Sequence, residues 1–343
     1  MRISIASVLR KTLPPAVIFL AVPASIWADG YTFTSISDMV DNNPPNTKTP
    51  EVFTQLLGVN TADMVAGYYG SGANADHPNK GFVMPNAVTQ PTTFTHENFP
   101  GSVQTQVVGI NSLSSPTTVG FYIDGNGTNH GFADIGNTFT TFDNPSTPAS
   151  AGTVNQLLGV NNHNVAAGYY TNAAGNFVPY TVNVAGSPVF TSLSGVGTNS
   201  QATDINNGGW ISGFTMTSSS TSEGFVDENG TETLLNFGTS TAALGLNDNG
   251  QVVGDYVDAN GVQHGFIYWL STASLLTVDP PGSTSTTING INDMGGLVGF
   301  YTDSTGVNVI GTFGTPTPEP ASIALLGLGA LALGFWQRKR LRA

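Results

Sequence analysis

A triplet of a small residue, an aliphatic residue and asparagine recurs six times along the chain, and no other feature limits the fold so strongly. The copies are Gly58-Val59-Asn60, Gly109-Ile110-Asn111, Gly159-Val160-Asn161, Asp204-Ile205-Asn206, Gly245-Leu246-Asn247 and Gly290-Ile291-Asn292, at spacings of 51, 50, 45, 41 and 45 residues. After each comes a short polar turn and then a small-Gly-aromatic segment: Ala66-Gly67-Tyr68, Val119-Gly120-Phe121, Ala167-Gly168-Tyr169, Ser212-Gly213-Phe214 and Val298-Gly299-Phe300. The fifth copy departs, with Val253-Gly254-Asp255. A third run follows in Gly81-Phe82-Val83, Gly131-Phe132-Ala133, Gly224-Phe225-Val226 and Gly265-Phe266-Ile267, and in degenerate form in Phe177-Val178-Pro179-Tyr180 and Ile310-Gly311-Thr312-Phe313. Short apolar runs separated by Asn-Gly and Asp-Gly turns read as strands joined in hairpins.

The first five copies end in a fourth run, at 92–95, 139–142, 189–193, 232–237 and 275–278, whereas the sixth stops at Phe313. An isolated alternating segment, Tyr31–Ser37, stands ahead of the first copy and has the character of these fourth runs. Repeats of this length with four short strands each are the signature of a β-propeller. The chain is therefore expected to be all-β, with a six-bladed β-propeller of four-stranded blades across residues 29–313. The amino-terminal strand completes the last blade, which leaves no unpaired outer edge. The alternative is an open β-solenoid, which needs no complementing strand.

Charge is distributed unevenly. Of nine basic residues, seven (Arg2, Arg10, Lys11, Arg338, Lys339, Arg340 and Arg342) lie in the two end segments, so residues 29–317 hold Lys48 and Lys80 against 21 acids, a net charge of −19. Such a body repels polyanions, which excludes nucleic acid as a partner. With no cysteine, stability rests on packing and sheet closure.

Both ends carry addressing signals. Arg2, Arg10 and Lys11 precede the apolar run Leu13–Trp27, and Ile26-Trp27-Ala28 offers a small-residue exit before Asp29. Residues 1–28 thus read as a secretory signal helix, handled by the Sec translocation machinery and cut between Ala28 and Asp29. After a spacer at 314–317 come Pro318-Glu319-Pro320, an apolar segment ending at Trp336, and the basic cluster Arg338, Lys339 and Arg340. As a helix, Ala321–Trp336 rises about 24 Å, a little short of the roughly 30 Å hydrocarbon core. It suits a transient transmembrane stop with the basic cluster held in the cytoplasm.

This tail, residues 318–343, resembles the PEP-CTERM sorting signal in the order and spacing of its three parts. The resemblance implies recognition by an exosortase-type membrane protease and cleavage near Pro318-Glu319-Pro320. It also implies delivery to the outer surface or extracellular polysaccharide of a Gram-negative bacterium. The body from about Leu56 to Phe313, with His-Gly-Phe-Ile-Tyr-Trp at His264–Trp269, resembles the probable extracellular repeats called the HAF family. Gly265 stands where that name implies Ala, and His130 and His264 alone fill the His position. The likeness implies secretion rather than a chemistry.

Asp124 and Asn126, Asp258 and Asn260, and Asp303 occupy Asp-x-Asn-Gly or Asp-Ser-Thr-Gly turns that resemble parts of calcium loops but lack the later bidentate Glu. Asp and Asn before Gly are also what a tight hairpin turn demands. The expectation is framework turns and no cofactor, with weak calcium binding as the alternative. His130 and His264, at equivalent positions, are expected to be packing or turn residues. His77, His96 and His163 lie in polar contexts without ligand spacing. In Tyr68-Tyr69, Phe121-Tyr122 and Tyr169-Tyr170, strand alternation places one ring in the core and turns the other outward. The chain shows no His-x-x-x-His, Gly-x-Ser-x-Gly or phosphate loop. The expected function is a secreted or surface noncatalytic repeat protein associated with extracellular polysaccharide or biofilm matrix. The alternative is an extracellular carbohydrate-active hydrolase or lyase with its site at the channel mouth.

Overall fold

The computed structural model describes residues 30–36, 53–70, 78–150, 152–306 and 309–317. Both end segments, and with them Ala28, Asp29, Pro318, Glu319, Pro320, Arg338, Lys339 and Arg340, to which the sequence assigns processing roles, lie outside these residues. So does His77. The described residues form 24 strands in six four-stranded antiparallel sheets. Blades 1 to 5 are consecutive meanders whose first strands are Thr54–Val59, Gln104–Ile110, Asn155–Val160, Ser200–Ile205 and Ser240–Leu246. Blade 6 begins with Ser285–Ile291 and ends with the amino-terminal strand Tyr31–Ile36 on the far side of Val309–Pro316, in the register Tyr31↔Pro316 to Ile36↔Gly311. Blade 6 also packs on blade 1, so the ring is closed and the solenoid is excluded. The fold is a six-bladed β-propeller.

The recurring triplet explains the closure. In every blade the first strand carries a β-bulge immediately before the triplet, at Leu56/Gly58, Val107/Gly109, Leu157/Gly159, Ala202/Asp204, Ala243/Gly245 and Ile288/Gly290. The triplet glycines then run against the neighbouring backbone: a Cβ at Gly58 would lie 2.5 Å from Val108 O, and one at Gly290 would lie 2.7 Å from Leu57 O. The blades can meet this tightly around the axis because five of the six positions have no side chain.

Each triplet ends in a buried asparagine, and the six asparagines link the blades in a closed ring. The Nδ2 of Asn60 donates to Asn111 O (3.0 Å), Asn111 to Asn161 O (3.1 Å), Asn161 to Asn206 O (3.0 Å), Asn206 to Asn247 O (3.2 Å), Asn247 to Asn292 O (3.0 Å) and Asn292 back to Asn60 O (2.9 Å). The Oδ1 atoms face the other way and organise the turns. Asn161 Oδ1 accepts from His163 N and Val165 N, and Asn292 Oδ1 from Met294 N and Gly296 N. The third residue after the asparagine adopts positive φ in five blades, as Asp63, Asn164, Gly209, Gly250 and Gly295, which are residue types that tolerate this region.

Between blades, the aromatic ring of the third strand fills the core: Phe82, Phe132, Tyr180, Phe225, Phe266 and Phe313 are each 2% exposed or less. In blades 1 to 5 this ring faces the glycine of the small-Gly-aromatic segment, as in Gly67↔Phe82, Gly120↔Phe132 and Gly254↔Phe266. A Cβ at Gly120 would stand 3.0 Å from Phe132. Tyr180 therefore takes the Phe position in the degenerate third copy. Two expectations need correction. The fourth strand of blade 1 is Thr95–His96 rather than 92–95, and its His96 lies 5.5 Å from the ring of Tyr69. In blade 3 both Tyr169 and Tyr170 are buried, because Tyr169 turns its hydroxyl onto Gln156 and Tyr170 packs on Tyr180.

Asn161→Ala strands two turn N–H groups and the Asn206 carbonyl in a buried setting. It is expected to destabilise the protein by about 3 kcal/mol, read as a lower urea midpoint. An unchanged midpoint would show that the asparagine ring is not a determinant of stability.

Candidate functional site

The first strands enclose a chamber of about 330 Å³ on the axis. Its wall is layered by the repeat. Three residues before the triplet stand Gln55, Gln106, Gln156 and Gln201 in blades 1 to 4, but Ala242 and Thr287 in blades 5 and 6. Each is paired in register with the residue after the glycine of the second strand: Gln55↔Tyr68, Gln106↔Phe121, Gln156↔Tyr169, Gln201↔Phe214 and Thr287↔Phe300, whereas Ala242 faces Asp255. The next layer, made of the bulged residues, is apolar at Leu57, Val108, Leu158 and Leu244 and polar at Thr203 and Asn289. These two polar side chains also bridge blades, Thr203 Oγ1 donating to Ala243 O (2.8 Å) and Asn289 Nδ2 to Leu56 O (3.3 Å).

Asp204 breaks the glycine layer. Its side chain lies over Gly159 of blade 3, and its carboxylate accepts from Ile205 N (2.8 Å) and from Leu246 N of blade 5 (3.0 Å). It borders both the chamber and a smaller hollow of about 70 Å³ beside the asparagine ring, so it stands at the waist of the channel. Burial pushes its carboxyl up to about 7, against the two N–H donors, and Asp248 adds to the rise. Burial likewise pushes Asp255 up to about 7.

A second carboxylate pair lies in a groove of about 270 Å³ between blades 1 and 2. There burial raises Glu97 to about 7, opposed by a hydrogen bond from the Thr118 hydroxyl and assisted by Asp134. Asp134 is itself raised by burial.

The sequence-derived residues fall elsewhere, on the hairpins joining second to third strands in blades 2, 5 and 6. Asp124 Oδ1 accepts from Asn126 N and Thr128 N, both at 2.8 Å, and Asp258 Oδ1 repeats this with Asn260 N and Val262 N. Asn126 and Asn260 turn their amide nitrogens onto the same aspartates. The turn N–H groups of Thr128 and Val262 hold these carboxyls below the usual carboxylate range. Asp303 makes the corresponding turn with Thr305.

His130 Nδ1 lies 2.7 Å from Asp143 Oδ2 and its Nε2 lies 3.7 Å from Asp124 Oδ2; His264 stands likewise between Asp279 (2.7 Å) and Asp258 (3.8 Å). Tyr122 and Tyr256 pack on the two imidazoles. The sequence placed these histidines at equivalent positions without their aspartate partners, which come from the ends of the fourth strands. Each imidazole separates its carboxylates, and among the described residues no three His, Asp or Glu side chains are grouped to hold a metal ion. Sequence reasoning did not assign a role to Asp204 or Asp255, although both announce themselves as breaks in the repeat. Glu97 and Asp134 carry no such mark, since only the seam between blades brings them together.

Residues 316–339 match the PEP-CTERM protein-sorting motif. PEP-CTERM tails are substrate signals for exosortases, so the chain is exported through an exosortase system and anchored in the membrane by its carboxyl terminus before processing. No curated protein has a matching sequence. Among solved structures, the chain is similar to the Trypanosoma rangeli sialidase in complex with the inhibitor DANA, at 7% identity and a TM-score of 0.51, with 88% of this chain and 61% of the sialidase covered. The chain thus spans less than two thirds of that enzyme. It is also similar to a fungal lectin from Aleuria aurantia described as a six-bladed β-propeller with a novel fucose recognition mode, at 10% identity and a TM-score of 0.46, with 80% and 99% covered. At these identities the likeness is one of fold.

The raised carboxyls set a pH dependence. Asp204, Asp255 and Glu97 keep their protons in the fold up to about pH 7, whereas the unfolded chain releases them near the ordinary carboxyl values of 3.8 for Asp and 4.5 for Glu. Stability from this source is complete below the unfolded values and is lost as pH rises to about 7. The melting temperature is expected to fall between pH 5 and pH 8, and Asp204→Asn is expected to flatten part of that fall. Equal slopes in the two proteins would remove Asp204 from the account.

Proposed function

We propose that the protein is an exported, noncatalytic glycan-binding propeller that associates with extracellular polysaccharide and seats a sugar residue in the axial chamber. The observation that carries this reading is the chamber wall. Gln106 and Gln201 offer amide donors and acceptors to hydroxyl groups, Gln55 and Gln156, whose carbonyls take the Tyr68 and Tyr169 hydroxyls, offer amide donors, and Phe121, Phe214 and Phe300 offer apolar ring surface. A concave, largely apolar site with a few placed polar groups suits a small polyhydroxylated ligand. The departures from six-fold repetition, Thr203, Asp204, Asp255 and Asn289, lie on or beside this wall, which gives a symmetric ring an oriented site. The acidic body favours a neutral or cationic polysaccharide over an anionic one, because like charges repel across the surface. Attachment to the outer surface or matrix follows from processing near Pro318-Glu319-Pro320, by an exosortase acting after Sec-dependent export.

Binding of the purified protein to a neutral polysaccharide, followed by calorimetry, tests the chamber. Gln106→Ala and Phe214→Ala are expected to weaken binding about tenfold each while leaving the melting temperature within a few degrees. Undiminished binding in both variants would move the site off the axis. The second reading, a carbohydrate-active enzyme, is favoured by one observation: Asp204 has a carboxyl near neutrality at the floor of a chamber, as an acid–base group needs. Reducing sugar released by the native protein but not by Asp204→Asn would establish it.

For the address, Glu319→Ala is expected to leave the full-length chain in the membrane fraction, whereas the native protein is recovered shortened by its tail. Equal processing of both would show that cleavage does not depend on the Pro-Glu-Pro segment.

A further inference from the structure

The axial chamber differs around its circumference, and the difference selects a substituent. Reading away from the asparagine ring, the inner strands of blades 1 to 3 repeat one column: Leu57 then Gln55, Val108 then Gln106, and Leu158 then Gln156. Both members of each column line the chamber, whereas the residues between them, Leu56, Val107 and Leu157, are buried between blades. Blades 4 to 6 break the column, with Thr203 then Gln201, Leu244 then Ala242, and Asn289 then Thr287. Three neighbouring blades thus form one wall of amides above hydrocarbon.

Two of the amides are set by their partners. The hydroxyls of Tyr68 and Tyr169 donate to Oε1 of Gln55 and Gln156, the second at 2.8 Å. Burial raises both phenols, so both stay protonated and remain donors at neutral pH. That fixes which end of each amide is presented. The two Nε2 groups have no hydrogen-bond partner among the described residues, and neither is shut away from the chamber. Gln106, opposite Phe121, has no tyrosine to fix it and can turn its amide either way. The layer beneath, of Leu57, Val108 and Leu158, offers neither donor nor acceptor from its side chains.

A substituent that enters along this wall must accept a hydrogen bond at the amide level and be apolar at its tip. A hydroxyl fails the second condition, because its O–H is set against hydrocarbon without an acceptor. A bare methyl fails the first, because it covers the amide donors and leaves them unpaired. An acetyl group meets both, with its carbonyl oxygen toward the Nε2 donors and its methyl on the aliphatic layer. We infer that the axial chamber selects an acetylated sugar residue and holds it by the acetyl group, with Gln55 and Gln156 as donors and Leu57, Val108 and Leu158 as the methyl seat. The saccharide scaffold and the axial position rest on the glycan reading above; the acetyl requirement rests on this wall. N-acetyl and O-acetyl substituents share the chemistry that the wall recognises.

Calorimetry of the purified protein with two matched pairs of glycans tests the inference. One pair is triacetylchitotriose and cellotriose, which differ in acetamido against hydroxyl; the other is an O-acetylated glucomannan before and after alkaline deacetylation. The acetylated member of at least one pair is expected to bind at least about tenfold more tightly than its counterpart. Preference in the first pair alone assigns the acetamide, and preference in the second alone assigns the ester. Gln156→Glu keeps an acceptor for Tyr169 but turns the open donor into an acceptor, and Val108→Thr sets a hydroxyl in the methyl seat at nearly constant shape. Each is expected to reduce the preference about fivefold or more. Thermal melts identify a variant that fails to fold, and Val108→Thr, which changes a residue facing the chamber, keeps the test decisive if Gln156→Glu does so. Equal affinity within both pairs, tighter binding of the unacetylated members, or a preference untouched by the folded variants would overturn the inference and leave the glycan reading in place. Absence of binding to all four glycans would overturn both.

Discussion

The ring of six asparagines is the interaction on which the remaining architecture depends. Each side chain performs two tasks that no other residue of its size combines: an amide N–H reaches across to the neighbouring blade, and a carbonyl oxygen gathers the N–H groups of its own turn. Aspartate would lack the donor, and leucine would lack both functions. Because the sixth bond returns from Asn292 to Asn60, the ring couples the first and last repeats as directly as it couples neighbours. The glycines before the asparagines allow the approach, the bulges set its angle, and the outer strands follow from the meander. The axial chamber is a by-product of this geometry, since the inner strands can converge only as far as their bulged residues permit.

Much of this was legible in the sequence. Spacing and triplet identity gave the blade count, and the isolated segment at Tyr31 gave the closing strand, because a repeat protein missing one strand at the end must find it elsewhere. The turns at Asp124 and Asp258 were readable from Asp and Asn before Gly. What could not be read was anything created by juxtaposition between repeats. The asparagines were visible, but not that their side chains bond to the following copy. Asp204 and Asp255 were visible as irregularities, but their burial depends on neighbouring blades. Glu97 comes near Asp134 only at the seam between blades 1 and 2, and even within blade 2 the approach of Asp143 to His130 needs the third and fourth strands laid side by side. A linear pattern shows which positions are equivalent, not which ones touch.

The two His–Asp stations show how a repeat fold acquires individuality without altering its frame. Tyr122 and Tyr256 support both imidazoles, and both aspartates approach at the same distance. Around these stations the blades differ in one side-chain length, at Asn129 and Gln263, and in the length of the connection to the next blade. Connections between strands tolerate such change because their backbone is solvated at the surface, whereas the inner strands are fixed by the packed axis. Divergence within the ring is therefore concentrated where it costs least, at seams and loops, apart from the substitutions that face the chamber.

The shared last blade has a consequence for how the protein is delivered. Tyr31 pairs with Pro316, and Thr317 N donates to Gly30 O, so the start of the described chain and the lead into the sorting tail leave the ring side by side at one edge. A chain translocated from its amino terminus emits the closing strand first and its partner last. Until Val309–Pro316 has crossed, blade 6 is incomplete, and the propeller cannot reach its final contacts, which are among the longest-range in the molecule. Completion of the fold thus coincides with arrival of the sorting tail at the membrane, so that the ring locks only as that tail becomes available for processing.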